Sequence, residues 1–163
     1  MEQSGILWGT MEKEDKMDNL FSDDFLGNYE VAIDDKNRFS FPAEYRNILK
    51  GKLLVITKGL DGCLYVFTED RYRKFCGQQL NLKDGIEKKA IRKLKRVLTS
   101  SAVKRVIDNH GRLLLPQNLL RMVDIEKVLI VVGAGDRIEL WNKSNWENET
   151  ESFENIEDLL EEM

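Results

Sequence analysis

Apolar and other residues alternate through Tyr29-Glu-Val-Ala-Ile33 and again through Arg38-Phe-Ser-Phe41, the two-residue period of half-buried strands. Between them Asp34-Asp-Lys-Asn37 reads as a polar turn. Pro42 follows the second strand and suits the first position of a helix, where no backbone N–H is needed. A short helix is expected over Ala43–Leu49. Leu53–Thr57 is then a continuous apolar run with β-branched residues, turned at Gly59–Gly62 into a further strand over Cys63–Phe67. The unit so predicted is a β-hairpin, a helix and a second β-hairpin.

The unit occurs twice. A shift of 74 residues aligns Ile33-Asp34 with Ile107-Asp108, Arg38 with Arg112, Pro42 with Pro116 and Gly59 with Gly133, without a gap. Apolar character follows the same shift, from Leu54 to Val128, Ile56 to Ile130, Leu64 to Ile138, Phe67 to Trp141 and Tyr72 to Trp146. The second copy therefore has a helix over Gln117–Val123 and strands over Val128–Val132 and Arg137–Trp141, turned at Gly133–Asp136. Two copies at so long a period indicate a pseudo-two-fold domain and not a solenoid. The last turn position is Asn37 in one copy and Gly111 in the other. Those residue types best tolerate a left-handed backbone, so the shared position is expected to have positive φ.

Between the copies, residues 83–98 place Ile86, Ala90, Ile91, Leu94, Val97 and Leu98 on a helical stripe, with most of seven bases on the other face. Those bases either meet phosphate or form a solvated face. Glu69–Leu80 reads as another helix, with Tyr72 and Phe75 inward. At the C-terminus Phe153, Ile156, Leu159, Leu160 and Met163 form a stripe on an acidic helix, whose alternative is a solvated acidic tail. The expected organisation is an acidic arm over 1–27, a first repeat over 28–71, a helical linker over 72–101, a second repeat over 102–146 and an acidic tail over 147–163. Met11 and Met17 leave open whether the arm is genuine or an upstream start.

The chain has 163 residues, 42% hydrophobic and 33% charged, too apolar for a wholly disordered protein. Its net charge of −4 conceals a segregation. Residues 1–27 carry seven acids and two bases, and residues 147–163 carry eight acids and no Lys or Arg. The middle, residues 28–146, holds 23 bases against 14 acids, enough to attract a polyanion. No apolar run approaches the roughly 20 residues of a membrane span, and no export signal stands at the N-terminus, so a cytoplasmic location is expected. Two cysteines, Cys63 and Cys76, and a single histidine, His110, exclude a four-ligand structural zinc site and a disulfide framework. No metal, cofactor or small-molecule substrate is expected. With no Gly-rich phosphate loop, no His-x-x-x-His pair and no nucleophile elbow, catalysis has no support either.

The duplicated Asp-x-x-x-Arg motif, each copy followed by a proline four residues after the arginine, carries a closer likeness. Ile33-Asp-Asp-Lys-Asn-Arg-Phe-Ser-Phe-Pro-Ala-Glu-Tyr-Arg46, its partner Ile107-Asp-Asn-His-Gly-Arg-Leu-Leu-Leu-Pro-Gln-Asn-Leu119 and the Arg137-Ile-Glu-Leu-Trp141 ending resemble the MraZ family, over about Leu26 to Trp146. The resemblance implies an α+β, mainly β fold: a pseudo-two-fold AbrB-like swapped-hairpin barrel of the double-psi type, with short helices and an inter-repeat helical segment. It implies a ring homo-oligomer, associated with the nucleoid. Such a ring binds G-rich direct repeats in double-stranded promoter DNA upstream of the division and cell-wall gene cluster that includes its own gene, usually as a repressor. By the same resemblance Arg38 and Arg112 are the DNA-contacting residues.

That assignment is chemically sensible, since arginine makes bidentate bonds to guanine O6 and N7. Lys36 adds a phosphate contact, where the second copy offers Asn109 and His110. Asp34 and Asp108 would hold the turn or orient the arginine, with Asn37, Gly111, Pro42 and Pro116 supporting it, because a carboxylate close to DNA repels phosphate. Two positions depart from the family pattern. Asn37 replaces the usual glycine, and Leu120 stands where an arginine is usual, with Arg121 one residue later. The alternative function is an antitoxin-like or scaffold ring acting through protein partners.

Overall fold

The first two strands of each half do not form the expected hairpin with one another, because both find their partners in the other half. In a computed structural model that describes residues 24–80 and 88–163, the first half comprises β1 (Asn28–Ala32), β2 (Arg38–Ser40), α1 (Ala43–Leu49), β3 (Leu54–Lys58), β4 (Leu64–Thr68) and α2 (Glu69–Gln79). After α3 (Lys89–Ser100) the second half repeats the order as β5 (Val103–Arg105), β6 (Arg112–Leu114), α4 (Gln117–Met122), β7 (Val128–Gly133) and β8 (Ile138–Trp141). The chain closes with α5 (Lys143–Glu151), a 3-10 turn over Ser152–Asn155 and α6 (Ile156–Glu162). β1 pairs with β7 and β5 with β3, while β2 and β6 pair with each other. The two-fold passes where Tyr65 stands opposite Glu139 in the sheet, and where Phe39 stands opposite Leu113 in the ribbon.

All pairs are antiparallel, in a six-stranded sheet of order β1-β7-β8-β4-β3-β5 and a separate two-stranded ribbon β2-β6. The fold is α+β, mainly sheet with short helices. The ladders among the described residues do not close into a barrel, because β2 and β6 leave the sheet and bond only to one another.

The sheet's inner strands are covered on both faces, which explains their unbroken apolar runs. Leu54, Ile56, Leu64, Val66, Leu129, Val131, Ile138 and Leu140 pack with the ribbon's Phe39 and Leu113 and with Tyr45, Leu49, Leu119 and Leu120 of α1 and α4. Cys63, Tyr65, Phe67, Ile130, Val132 and Trp141 pack with Phe75 of α2 and Leu98 of α3 on the opposite face.

This sorting corrects the gapless 74-residue alignment. Leu54 and Ile56 share a face with Leu129 and Val131, an offset of 75, whereas Leu64 and Val66 match Ile138 and Leu140 at 74. The connection before β7 is a residue longer and the β7–β8 turn a residue shorter, closing from Ala134 N–H to Arg137 where the first copy closes from Gly59 to Cys63. Because faces alternate, a slip of one would have turned the apolar set of β7 to the wrong layer.

Smaller differences have local causes. Pro42 and Pro116 cap their helices from one position earlier than expected, extended at ψ 148° and 140°, their carbonyls accepting the first helical bonds from Tyr45 and Arg46, and from Leu119 and Leu120. Of the proposed acidic arm, residues 1–23 lie outside the described residues, as do positions 83–87 of the proposed linker helix. Residues 24–27 belong to the fold: Phe25 is buried against Tyr45 and pairs with Gly135, and Leu26 O accepts from the Tyr45 hydroxyl. The C-terminal stripe is helical and exposed, with Phe153 touching Trp146.

Candidate nucleic-acid interface

The two turns are built alike, atom for atom. Asp34 Oδ1 accepts from the backbone N–H of Lys36 and of Arg38, at 3.0 and 2.8 Å, and its Oδ2 accepts from Arg38 Nε at 2.9 Å. Asp108 Oδ1 accepts from His110 and Arg112, both at 2.9 Å, and its Oδ2 from Arg112 Nε at 2.8 Å. Backbone bonds close each loop, from Asp34 N–H to Arg38 O and from Asp108 N–H to Arg112 O, both 2.9 Å. Asn37 and Gly111 occupy the left-handed region at φ +61° and +74°. The aspartates thus both hold the turn and orient the arginine. The N–H bonds hold both carboxyls below the usual carboxylate range, Asp108 at about 2, with the Arg112 backbone the largest cause and its guanidinium adding to it. Each arginine spends Nε on its aspartate, and neither Nη amino group donates among the described residues.

The ribbon brings the two arginines to one surface. Phe39 and Leu113, the central pair, face the core, so Arg38, Ser40, Arg112 and Leu114 all face outward. Arg38 lies opposite Leu114 and Arg112 opposite Ser40, which makes the arginines diagonal neighbours, with Cα atoms about 7–8 Å apart. Each side chain is about one-third exposed. Lys36 stands exposed on the first turn. The halves also brace each other's turns: Asn37 O accepts from Leu115 N–H and Gly111 O from Phe41 N–H, and the Asn37 amide donates to Gln117 Oε1 at 3.0 Å.

One group of bases is not brought here. Lys88, Lys89, Arg92, Lys93, Lys95 and Arg96 are exposed along α3. That helix packs through Leu94 and Leu98 on the sheet face away from the ribbon.

A family model described as "MraZ protein, putative antitoxin-like" matches residues 25–96 and again 98–162, once for each half. The chain belongs to the MraZ family. Proteins named transcriptional regulator MraZ are similar along nearly their whole length: that of Thermoanaerobacter pseudethanolicus is 39% identical over 142 residues, 85% of this chain and 97% of the relative. That of Clostridium beijerinckii is 38% identical over 139 residues, 85% of this chain and 96% of the relative. The names describe a regulator and no enzyme activity.

The two halves of this chain differ together at two linked positions. Arg46 of α1 lies over the second turn, so close that a Cβ on Gly111 would collide with its Cδ. Its counterpart by the repeat is Leu120, which is buried in the core at 1% exposure and places no side chain over the first turn as Arg46 does over the second. Asn37 therefore tolerates a side chain where Gly111 cannot. Sequence reasoning missed Arg46 and Lys50 as members of the site. Their i, i+4 spacing at the end of α1 was visible, but the pairing of α1 with the other half's turn was not. With Asn47 and His110 they line an open groove of about 780 Å³ between α1 and residues 106–111.

Proposed function

We propose that this chain is a sequence-specific DNA-binding transcriptional regulator that reads double-stranded DNA with the outward face of the β2-β6 ribbon. One observation carries the reading: two arginines, each fixed by a turn aspartate and with both amino groups uncommitted, share the exposed face of a two-stranded ribbon. The major groove of B-DNA admits such a ribbon, and an arginine fork pairs with guanine O6 and N7. A spacing of about 7–8 Å corresponds to roughly two base-pair steps of 3.4 Å, so both arginines address one short G-rich element. Lys36 contributes a phosphate contact beside the first.

The names of the relatives support regulation of transcription. The finer reading is a repressor of the division and cell-wall gene cluster that includes its own gene. It acts at the nucleoid in the cytoplasm as a ring whose subunits engage direct repeats together, gaining avidity when repeat and subunit spacings match. The exchange of strand partners between halves supports a swapped-hairpin origin for the fold, with α3 as the inter-repeat helix. No helix among the described residues is long and apolar enough to cross a membrane.

The test is fluorescence anisotropy on the duplex upstream of the gene and on a scrambled duplex, at two salt concentrations. Arg38→Ala and Arg112→Ala should each cost about 1–3 kcal/mol per lost base contact and flatten the preference for the upstream duplex. Equal losses on both duplexes would make the arginines phosphate clamps and refute base reading. The family description also names an antitoxin-like character, which favours a second reading, a ring acting through protein partners. Weak binding of the wild type that ignores both sequence and salt would select it.

A further inference from the structure

The groove beside the second turn has cations with nothing to neutralise them. Arg46 of α1 and Lys50, which closes that helix by donating its backbone N–H to Arg46 O, line it four residues apart, with His110 on the opposite wall. None of these three side chains forms an ion pair or hydrogen bond among the described residues. The single carboxylate in the lining, Asp108, is already committed to Arg112 and to two backbone N–H groups. The stem of Arg46 is laid across Gly111, at a separation no Cβ would permit, which carries its charge to the second turn.

The first turn has no equal. The repeat exchanges Arg46 for buried Leu120, and α4 ends at Met122 and runs into Val123 and Asp124 where α1 offers Lys50. Lys36 takes the place of His110 there, but Asp35 takes the place of Asn109. Basic residues around the first turn are thus offset by acids, and those around the second are not.

We propose that the groove between α1 and the second turn holds the phosphodiester backbone of bound DNA, with Arg46 and Lys50 as its phosphate-binding residues, so that the second turn carries a backbone anchor which the first lacks. The inference rests on the DNA-reading role given above and adds a division of labour to it. Counterion release makes the anchor measurable, because each phosphate neutralised steepens the fall of affinity with salt by about one unit of log–log slope.

The experiment uses the full-length protein with Lys50→Gln, Arg46→Gln and both together, and follows affinity across a salt series for the upstream and scrambled duplexes. Lys50 is exposed and makes no side-chain bond, so its variant keeps the fold. Glutamine at 46 keeps part of the stem over Gly111, and a melting curve checks it. Each substitution should lower the slope by about one per groove engaged, on both duplexes alike, with the ratio between duplexes unchanged. A double variant with the wild-type slope overturns the anchor while leaving DNA reading by Arg38 and Arg112 intact. A ratio that falls along with the slope makes Arg46 a base reader and also overturns it. A wild type with no salt-dependent binding to either duplex removes the DNA-reading role, and the anchor with it.

Discussion

The two Asp-x-x-x-Arg turns have the same internal hydrogen bonds to within 0.1 Å and opposite surroundings. Inside, the aspartate accepts two backbone N–H groups and one guanidinium N–H, a local set drawn from within five residues. Outside, the second turn lies under Arg46 and must therefore be bare at Gly111, whereas the first is propped by the Gln117 amide and carries a side chain at Asn37. Local chemistry was thus free to stay duplicated while the contact made by the opposite half diverged. A glycine and an arginine belong together on one side of the two-fold, an asparagine and a leucine on the other.

Moving one side towards the other tests that pairing. Leu120→Arg should show the largest effect, destabilising the protein by about 3 kcal/mol in chemical denaturation, since it removes a fully buried leucine. By the repeat, it also brings an arginine stem against the Cβ of Asn37, as Arg46 lies against Gly111. Adding Asn37→Gly should recover about 1 kcal/mol, the coupling expected if an arginine at 120 meets residue 37 as Arg46 meets Gly111. Simple additivity of the two changes would sever the link between them. Next in size, Gly111→Val should cost about 2 kcal/mol, from a β-branched residue at positive φ and from the displaced Arg46 stem. Asn37→Gly alone should stay within about 0.5 kcal/mol, because relief of the left-handed backbone offsets the loss of the exposed hydrogen bond to Gln117 and the added chain entropy. A cost for Asn37→Val equal to that of Gly111→Val would mean that Arg46 does not discriminate the turns.

What was legible in the sequence follows the range of the interactions. Alternation in Tyr29–Ile33, the polar turns and the positive φ at Asn37 and Gly111 are decided within a few residues, and each could be read along the chain. The 75-residue offset of β7 was hidden because Val128, Leu129, Ile130 and Val131 are all apolar, so a slip of one costs the pattern nothing, although it decides which layer each residue enters. The ribbon escaped notice for the opposite reason. Arg38 and Arg112 are 74 residues apart, and only the pairing of Phe39 with Leu113 makes them neighbours. Leu120 could be seen to differ from an arginine, but its partner in that difference, Asn37, becomes visible only when α4 is placed against the other half's turn.

The smallest effect separates the two jobs of the aspartate. The carboxyl of Asp108 is held at about 2, below its ordinary 3.8, and that of Asp34 is lowered in the same direction. A folded-state value below the unfolded one means that the stabilisation is fully present above about pH 4 and drains away as pH falls towards 2. Carboxyl titration by NMR should place the midpoint of Asp108 near 2 and that of Asp34 below 3.8. In both turns the arginine's own backbone N–H lowers the carboxyl most, ahead of its guanidinium. Arg112→Gln should therefore raise the Asp108 midpoint only part of the way, and Arg38→Gln should do the same at Asp34, leaving both turns closed and only the reading group lost. A midpoint restored to 3.8 by either substitution would show that the guanidinium, not the backbone, holds the turn. In that case losses of DNA binding in arginine variants would report a collapsed loop instead of a missing base contact.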